Sequence, residues 1–323
     1  MKAAVISLGS VSSNKTAEAM REYFDEVDEI TLREVELNFQ GNHSEIMHQG
    51  KPLKEYDCIY AKGSFRYAAL LRSITAIKFQ ECYMPLQPSA FTIVHDKLLT
   101  QLEFQQHGVS MPKTYLSATV PAAKKILKKL KYPIVMKFPQ GTHGKGVMFA
   151  DSAQSATTLL DAMDVLRQPV LVQEFIDTGG TDIRAFVIGD KVVAAMRRKG
   201  TKTDARANLH QGGKAELVEL DPVTTQVAIK AAKAVGADIA GIDILESHRG
   251  PVVLEANISP GIQGITKVTK IDVAQKIAKY LYDRTKESRR SEHDVKADKI
   301  MRTLHIETGN TTHIVTNLDF RGM

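Results

Sequence analysis

The most informative segment of the sequence is a glycine-rich run next to an apolar strand, Lys137-Phe138-Pro139-Gln140-Gly141-Thr142-His143-Gly144-Lys145-Gly146-Val147. Its three glycines, Gly141, Gly144 and Gly146, permit positive φ angles and let backbone N–H groups approach a phosphate closely, and Lys145 adds a positive charge. The run matches neither the P-loop pattern nor the dinucleotide pattern Gly-x-Gly-x-x-Gly. Taken alone, a glycine-rich turn between two strands is more often a plain hairpin. Its neighbours therefore decide whether it covers a bound phosphate.

The strand before this run ends in a lysine. The apolar residues Pro133–Phe138 predict a buried strand that places Lys137 among buried neighbours. Lysine is rarely buried without an anionic partner, because an unpaired charge is costly away from water. A nucleotide phosphate would supply that partner, which favours the phosphate cover over the plain hairpin.

Two later apolar strands each carry a carboxylate. They read Gly241-Ile242-Asp243-Ile244-Leu245 and Val252-Val253-Leu254-Glu255-Ala256-Asn257. Alternation along a strand places Asp243 opposite in direction to its isoleucine neighbours, and Glu255 and Asn257 on one shared face. Two carboxylates and an amide oxygen, without His or Cys, suit Mg²⁺ better than Zn²⁺. Either strand alone is equally well an ordinary hairpin with exposed acidic residues, but the two together with Lys137 predict a metal and phosphate site.

Composition limits the class of protein. At 323 residues the chain exceeds what one hydrophobic core usually supports, so two or three lobes are expected. With 43% hydrophobic and 25% charged residues and no apolar run near the roughly 18 residues of a membrane span, we expect a cytoplasmic protein without a membrane partner. The net charge of +6 and the absence of Trp disfavour nucleic-acid binding. Cys58 and Cys82 are too few for a disulfide framework and are expected to be reduced.

The order of apolar segments predicts four regions. Residues 1–94 alternate strands and helices and predict a small α/β domain with a parallel sheet, interrupted by loops around Gly41-Asn42-His43 and Gly50-Lys51-Pro52. Residues 95–175 contain the glycine-rich run, and residues 176–287 contain the carboxylate strands. Residues 288–323 form a C-terminal appendage, for which disorder and docking of a strand at Thr312–Asn317 stay equally open.

From residue 1 to about 287, and most densely from His95 to Gly264, the sequence resembles the ATP-grasp superfamily and, within it, the RimK family of amino-acid ligases. The stretches that carry the resemblance are Asp96-Lys97-Leu98, Val172-Gln173-Glu174-Phe175-Ile176, Asp182-Ile183-Arg184, Asn208-Leu209-His210-Gln211-Gly212-Gly213, Gly241-Ile242-Asp243-Ile244 and Glu255-Ala256-Asn257-Ile258-Ser259-Pro260-Gly261. The resemblance implies an α/β fold in which two α+β subdomains grip ATP, preceded by a small Rossmann-like domain.

The resemblance also implies a nucleotide site. Lys97 and Lys137 would contact the α- and β-phosphates, and the backbone of Glu174 and Phe175 would read the adenine edge. Asp182 would hold the ribose hydroxyls. The loop that closes over the phosphates would comprise Gly141, Thr142, His143, Gly144 and Gly146.

For the reacting phosphate and the metal, the resemblance implies a second group of residues. Arg198 would steady the transferred phosphate, and Arg206 and Asn208 would lie near the γ-phosphate, with Ala207 standing where a serine is common. The Mg²⁺ ligands would be Asp243, Glu255 and Asn257, and Mn²⁺ could take the place of Mg²⁺.

The implied activity is ATP-dependent ligation of a carboxylate to an amine. A carboxylate does not react with an amine at neutral pH, so transfer of the γ-phosphoryl group of ATP would first make an acyl phosphate. The implied amine is an amino acid, L-glutamate first, and the implied acceptor is a terminal carboxylate on a protein tail, such as a ribosomal protein, or on a small cofactor. The alternatives are an amino-acid ligase acting on a carrier protein in lysine or arginine biosynthesis, an ATP-dependent small-molecule phosphotransferase, and a nucleotide-binding regulatory protein. We also expect a homo-oligomer.

Simpler interpretations of several charged residues remain open from the sequence. Asp182-Ile183-Arg184 would also fit a surface ion pair, and Arg197-Arg198-Lys199 would also fit solvated charges on an edge strand. In the N-terminal region, three cationic residues are candidates for recognising an anionic acceptor: Lys62, Arg66 and Arg72.

Overall fold

The computed structural model describes residues 1–138, 146–165, 169–200 and 214–289. Seven of the predicted site residues lie outside the described residues, and so does the appendage from residue 290 onward. The seven are Gly141, Thr142, His143, Gly144, Arg206, Ala207 and Asn208.

The N-terminal region is built on a parallel sheet. Its elements are β1 (Lys2–Ser7), α1 (Val11–Met20), β2 (Glu26–Thr31), β3 (Val35–Gln40), β4 (His43–His48), β5 (Lys51–Pro52), β6 (Cys58–Ala61), α2 (Ala68–Lys78) and α3 (Ala90–Ile93). The parallel sheet has the order β2-β1-β6, with β1 in the centre. Buried on both faces, β1 reads as a continuous apolar run from Ala3 to Ile6, which is typical of a parallel strand. The predicted parallel sheet is confirmed.

The segment predicted as interrupting loops is instead an antiparallel sheet of three strands, β3-β4-β5. The prediction was wrong because the glycines in this segment mark hairpin turns. Gly41 has a φ of +56°, and the turn at Gln49 and Gly50 has φ angles of +52° and +72°. Two successive positive φ angles are those of the type I′ turns that connect neighbouring antiparallel strands.

The middle region forms a small antiparallel sheet with a core of its own. Its elements are α4 (Lys97–Gln106), β7 (Thr114–Ser117), α5 (Val120–Leu127), β8 (Ile134–Lys137), β9 (Val147–Ala150), α6 (Ala153–Val165) and β10 (Val170–Glu174). The strand order is β7-β10-β8-β9. Ile134 and Met136 of β8 and Val170 and Val172 of β10 pack with Leu160 of α6. This four-stranded sheet therefore does not depend on the larger core.

The last described region carries a five-stranded antiparallel sheet. Its elements are β11 (Thr181–Ile188), β12 (Lys191–Lys199), β13 (Lys214–Leu217), α7 (Pro222–Ala234), β14 (Ile239–Ser247), β15 (Gly250–Asn257), α8 (Gln263–Thr269) and a final helix, α9, over residues 273–289. The strand order is β13-β12-β11-β14-β15. Among the residues described, no helix is long and apolar enough to cross a membrane.

The five-stranded region packs directly on the N-terminal region. The two share one hydrophobic core, which includes Ile6 and Phe186. The Gln87 N–H donates to the Gly236 carbonyl at 2.8 Å, and the Gly63 N–H donates to Ser259 Oγ at 3.0 Å. The carboxyl ends of β1 and β6 therefore lie against the loop that follows β15.

Candidate active site

Asp243 and Glu255 are direct cross-strand partners on β14 and β15. Residues directly opposite in an antiparallel pair point to the same face, with Cβ atoms about 4.5–5.5 Å apart. A bulge follows Asp243, so that Ile244 pairs with Val253. Asn257 lies opposite Gly241, on the same face as Glu255, and its side-chain N–H makes a long hydrogen bond of 3.4 Å to the Gly241 carbonyl. The register thus brings together the three residues that were predicted as metal ligands.

Two arginines hold Asp243. Arg184, its partner across β11 and β14, donates from Nε to Oδ1 and from Nη2 to Oδ2, the second at 2.8 Å. Arg198 approaches Asp243 Oδ1 at 3.0 Å. Burial opposes ionisation of Asp243, but the charges of Arg184 and Arg198 outweigh it and lower its pKa. Asp243 is therefore a fixed carboxylate at the centre of the sheet face.

Asp182 takes part in the same network. Arg198 lies directly across from it on β12 and donates to both of its carboxylate oxygens, at 2.7 and 2.6 Å. Burial is the main cause that raises the pKa of Asp182, and repulsion by Asp243 adds to it. Asp182, the predicted ribose ligand, is thus paired with Arg198 through both carboxylate oxygens. A ribose hydroxyl could therefore bind only to the lone pairs that Arg198 leaves unused.

Two simpler interpretations are wrong: Arg198 is not a solvated charge on an edge strand, and Asp182 and Arg184 do not form a surface ion pair with each other. It is 9% exposed, and β13 covers the outer edge of β12, so β12 is not an edge strand. Asp182 and Arg184 pair with Arg198 and Asp243, not with each other. Arg197, whose side chain points to the other face, does form a solvated pair, with Glu246 at 2.9 Å.

Glu255 lies where the basic side chains of the middle region meet this face. It remains open to solvent, but loss of hydration and the Asp243 charge raise its pKa, against the opposing charges of Arg184, Lys97 and Lys137. Loss of hydration lowers the pKa of Lys137 to about 8. The Lys97 charge adds to this shift, and the Glu255 charge opposes it. Glu255, Lys97 and Lys137 are therefore close enough to interact electrostatically where the middle region meets the five-stranded sheet.

Local structure fixes both lysines. Lys137 ends β8, and its ammonium donates to Gln173 Oε1 of the neighbouring strand at 2.7 Å. It is half-buried, and this neutral amide is its hydrogen-bond partner. Lys97 opens α4, whose first turn is capped by Asp96 accepting from the Leu98 and Leu99 N–H groups. Burial lowers the pKa of Lys97, and Glu255 opposes that shift.

The predicted hinge is only partly available. Glu174 ends β10, but its N–H donates to the Lys113 carbonyl at 2.9 Å, and its Oε1 accepts from Arg249 and, at 2.8 Å, from the Lys113 N–H. The Glu174 N–H is therefore already paired, and an adenine edge would have to use the Glu174 carbonyl or the residues that follow. The Phe175 ring meets that of Phe149 edge to face at 5.9 Å.

At the described end of the glycine-rich run, Gly146 has a φ of +76°, and a Cβ placed there would lie 2.6 Å from the Phe138 ring. This position therefore needs a glycine for both its backbone and its space. Sequence reasoning left Arg184 and Gln173 without roles, although both stand in stretches that carry the family resemblance. Alternation with Asp182 was the available indication for Arg184, because side chains two apart on a strand share a face.

The residues fit Mg²⁺. Asp243 and Glu255 are adjacent carboxylates whose repulsion a divalent cation would relieve, and Asn257 adds an amide oxygen on the same face. In the part of the chain that the structure describes, no group of three or more His, Cys, Asp or Glu is placed to hold a metal. A metal at this pair would therefore complete its shell with water or phosphate oxygens, which Mg²⁺ commonly keeps.

Solved structures share this arrangement of sheets. The ATP-grasp ligase PsnB, in complex with a phosphomimetic variant of its minimal precursor, Mg and ADP, matches with a TM-score of 0.69 at 17% identity, over 88% of this chain and 98% of PsnB. A RimK domain ATP-grasp protein from Sphaerobacter thermophilus matches with a TM-score of 0.66 at 19% identity, over 87% of this chain and 99% of that protein. The fold is that of the ATP-grasp ligases, and the predicted fold class is confirmed.

Sequence comparison identifies the family. The RimK-like ATP-grasp domain matches residues 94–281. Over 289 residues, 87% of this chain and 95% of each relative, the chain is 35% identical to proteins named probable alpha-L-glutamate ligase from Picosynechococcus sp. and Vibrio cholerae. The chain belongs to the RimK-like ATP-grasp family of ligases, which confirms the predicted family and enzyme class.

Proposed function

We propose that this ligase adds L-glutamate to a terminal carboxylate of a protein tail or small cofactor, through an acyl phosphate made with Mg²⁺ and ATP. The names of its relatives support glutamate as the amino acid. The choice of acceptor rests on the family resemblance. The proposed setting is the cytoplasm, where ATP and free glutamate are available.

The observation that carries the proposal is that a pair of carboxylates and two lysines lie close together in one site. Asp243 and Glu255 form a cross-strand carboxylate pair, and Lys97 and Lys137 interact electrostatically with Glu255 from the middle region. Catalysis of phosphoryl transfer consists mostly of alignment and charge stabilisation, so it needs cations and metal ligands but no Ser-His-Asp nucleophile. The cleft offers this combination of groups.

Each group then has a task that follows from its position. Arg184 and Arg198 keep Asp243 ionised and fix its orientation. Their contacts leave part of the acceptor capacity of the carboxylate for a metal. Asp243, Glu255 and Asn257 would hold Mg²⁺, which when bound neutralises phosphate oxygens during transfer. Lys137, oriented by Gln173, and Lys97 would face the phosphates of the nucleotide. For Arg198 to contact the transferred phosphate, its pairing with Asp182 would have to loosen when substrate binds.

The test is ligation by the purified protein. It is incubated with ATP, Mg²⁺, L-glutamate and a panel of acceptors with free carboxylates, and both phosphate release and product mass are measured. The expected result is phosphate release that requires amino acid and acceptor together, with a mass increase of whole glutamyl residues on the acceptor. A phosphate ester in place of an amide would identify a phosphotransferase instead. If no amino acid stimulates phosphate release with any acceptor, the proposal is wrong.

A further inference from the structure

Lys62 is a buried cation that the cleft described above does not use. It follows β6 directly, is 4% exposed, and its Nζ has no hydrogen-bond partner among the described residues. Its ammonium lies over the ring of Tyr60, with 5.4 Å between Nζ and the ring centroid. Tyr60 is fully buried, and its hydroxyl is also without a partner in the part of the chain described. Two unsatisfied donors therefore lie together on one side of β6.

An ammonium group carries three N–H donors and no acceptor, so an aromatic face compensates its charge only in part. Burying it without an acceptor is unfavourable. Burial lowers the pKa of Lys62 to about 8, which still leaves the amine mostly protonated at neutral pH. An anion with acceptor oxygens would satisfy these donors and balance the charge.

The position of Lys62 leads towards the reaction centre. The next residue, Gly63, donates its N–H to Ser259 Oγ at 3.0 Å, and Ser259 stands two residues after Asn257. From the first turn of α1, which follows the adjacent strand β1, Ser12 Oγ accepts from the Ile262 N–H at 3.1 Å. A Cβ on Gly63 would lie 2.5 Å from Leu71 Cδ1, so the turn after β6 is held close against α2. Ligands of parallel α/β sheets bind beyond the carboxyl ends of the strands, which is where Lys62 stands.

The other two cations suggested for this region do not share these properties. Arg66 is exposed, and Arg72 is exposed and donates to Thr92 Oγ1 at 3.0 Å. Water can solvate both guanidinium groups, so neither requires an anion to compensate its charge. Of the three, Lys62 alone combines burial with unused donors.

We propose that Lys62, with the Tyr60 hydroxyl, forms a subsite that binds a carboxylate of a substrate of the ligase. This inference rests on the proposed function, because ligation brings two carboxylate-bearing substrates to the cleft. The carboxylate comes from the amino acid or from the acceptor, since the chemistry of recognition is the same. A phosphate is less suitable, because Lys97 and Lys137, which interact electrostatically with Glu255, are already proposed to face the phosphates of the nucleotide.

The experiment compares Lys62→Met with Arg72→Met, which removes the same charge from the same region at an exposed site. Thermal unfolding is followed with Mg²⁺ and a non-hydrolysable ATP analogue. The probes are three pairs: L-glutamate against L-glutamine, which lacks the side-chain carboxylate; L-glutamate against its α-amide, which lacks the α-carboxylate; and a peptide with a free terminal carboxylate against its amide. For at least one pair, the carboxylate member should raise the Tm of the wild type and of Arg72→Met but not that of Lys62→Met. The responding pair identifies the source of the carboxylate.

Steady-state kinetics separate this role from a structural one. Loss of a charge-assisted hydrogen bond to a substrate should raise the KM for that substrate by about 10- to 100-fold, with a smaller change in kcat and no change in the KM for ATP. If Lys62→Met does not fold, Tyr60→Phe gives the answer through the hydroxyl. A weaker Tm response to the carboxylate in that variant supports the subsite, and an unchanged response overturns it.

The two proposals fail in different ways. Ligation by the wild type with unchanged KM values in Lys62→Met overturns the subsite and leaves the proposed function standing. A Lys62-dependent Tm response without any ligation overturns the proposed function and leaves a carboxylate site. If neither carboxylate raises the Tm of the wild type, the subsite is wrong.

Discussion

The two sides of the cleft treat their charges differently. On the five-stranded sheet, Asp243 and Asp182 are each paired with an arginine through bidentate contacts. The basic side consists of cations from two other regions. The Lys137 ammonium of the small sheet donates to a neutral amide, and Lys62 of the N-terminal region has no hydrogen-bond partner among the described residues. Apart from Glu255, the acidic side is thus neutralised by the protein itself, whereas much of the basic side is left for an anionic ligand.

This difference indicates which half of the site depends on the substrate. Buried arginine–carboxylate pairs fix geometry before any ligand arrives, and removing one partner leaves an uncompensated charge. Lysines that lack a carboxylate partner contribute little to folding and can use their interaction energy for binding. We therefore expect substitutions on the acidic side, apart from those of Glu255, to affect both stability and activity, and those on the basic side to affect binding alone.

The largest effect is expected for Asp243→Asn. It leaves Arg184 and Arg198 without their shared carboxylate, so the free energy of unfolding should fall by about 3–5 kcal/mol, and ligation should be lost with it. Urea denaturation and the rate of phosphate release measure the two effects.

The matched control is Glu246→Gln, which removes the solvated partner of Arg197 on the same sheet. Its cost should stay below about 1 kcal/mol, as for other exposed ion pairs. Equal losses of stability in the two variants would contradict the distinction between buried and exposed pairs.

Glu255→Gln should separate activity from stability. Glu255 is open to solvent, and its nearest carboxylate, Asp243, repels it, so removing its charge should leave the free energy of unfolding within about 0.5 kcal/mol of wild type. Removing a metal ligand should nonetheless lower kcat by at least about 100-fold. Activity near the wild-type value at saturating Mg²⁺ would remove Glu255 from the metal site.

The carboxylate pair and the surrounding strands were predictable from the sequence because they follow from alternation. Two apolar strands, each with a single acidic side chain, place Asp243 and Glu255 on the sheet without any knowledge of packing. Strand alternation does not reveal which charge pairs with which, because the registers Arg184 with Asp243 and Asp182 with Arg198 depend on the alignment of neighbouring strands. For this reason the pairing of Asp182 with Arg198 was not predicted, and Arg184 received no role; the family resemblance alone had assigned Asp182 to the ribose.

The hairpins of residues 35–52 and the environment of Lys62 were missed for another reason. Gly41 and Gly50 are equally compatible with a loop and with a tight turn, and only the pairing of the flanking strands decides between them. Lys62 looks like any lysine in the sequence. Its burial arises from tertiary packing around the end of β6, which no local pattern contains.

The pH dependence of nucleotide use provides a smaller and more selective test of the basic side. Lys137 has a pKa lowered to about 8, so its positive charge is present below that pH and is lost above it. The value of kcat/KM for ATP should therefore fall as pH rises through about 8, by up to about tenfold per pH unit. Lys137→Arg should shift that fall to higher pH, because a guanidinium stays protonated. A profile that is the same in both proteins would exclude the Lys137 charge from nucleotide binding.

The smallest effect is expected for Arg249→Ala, which removes the partner of Glu174 at the edge of the cleft. This pair is partly exposed, with 39% and 27% of the two side chains accessible, so its loss should cost no more than about 1 kcal/mol of stability. The Lys113 N–H continues to hold Glu174 Oε1, which should keep the end of β10 in place and leave the KM for ATP within about twofold of wild type. A tenfold rise in that KM would show that the pair positions the adenine hinge, and the division between a self-neutralised acidic side and a ligand-dependent basic side would then not extend to this edge.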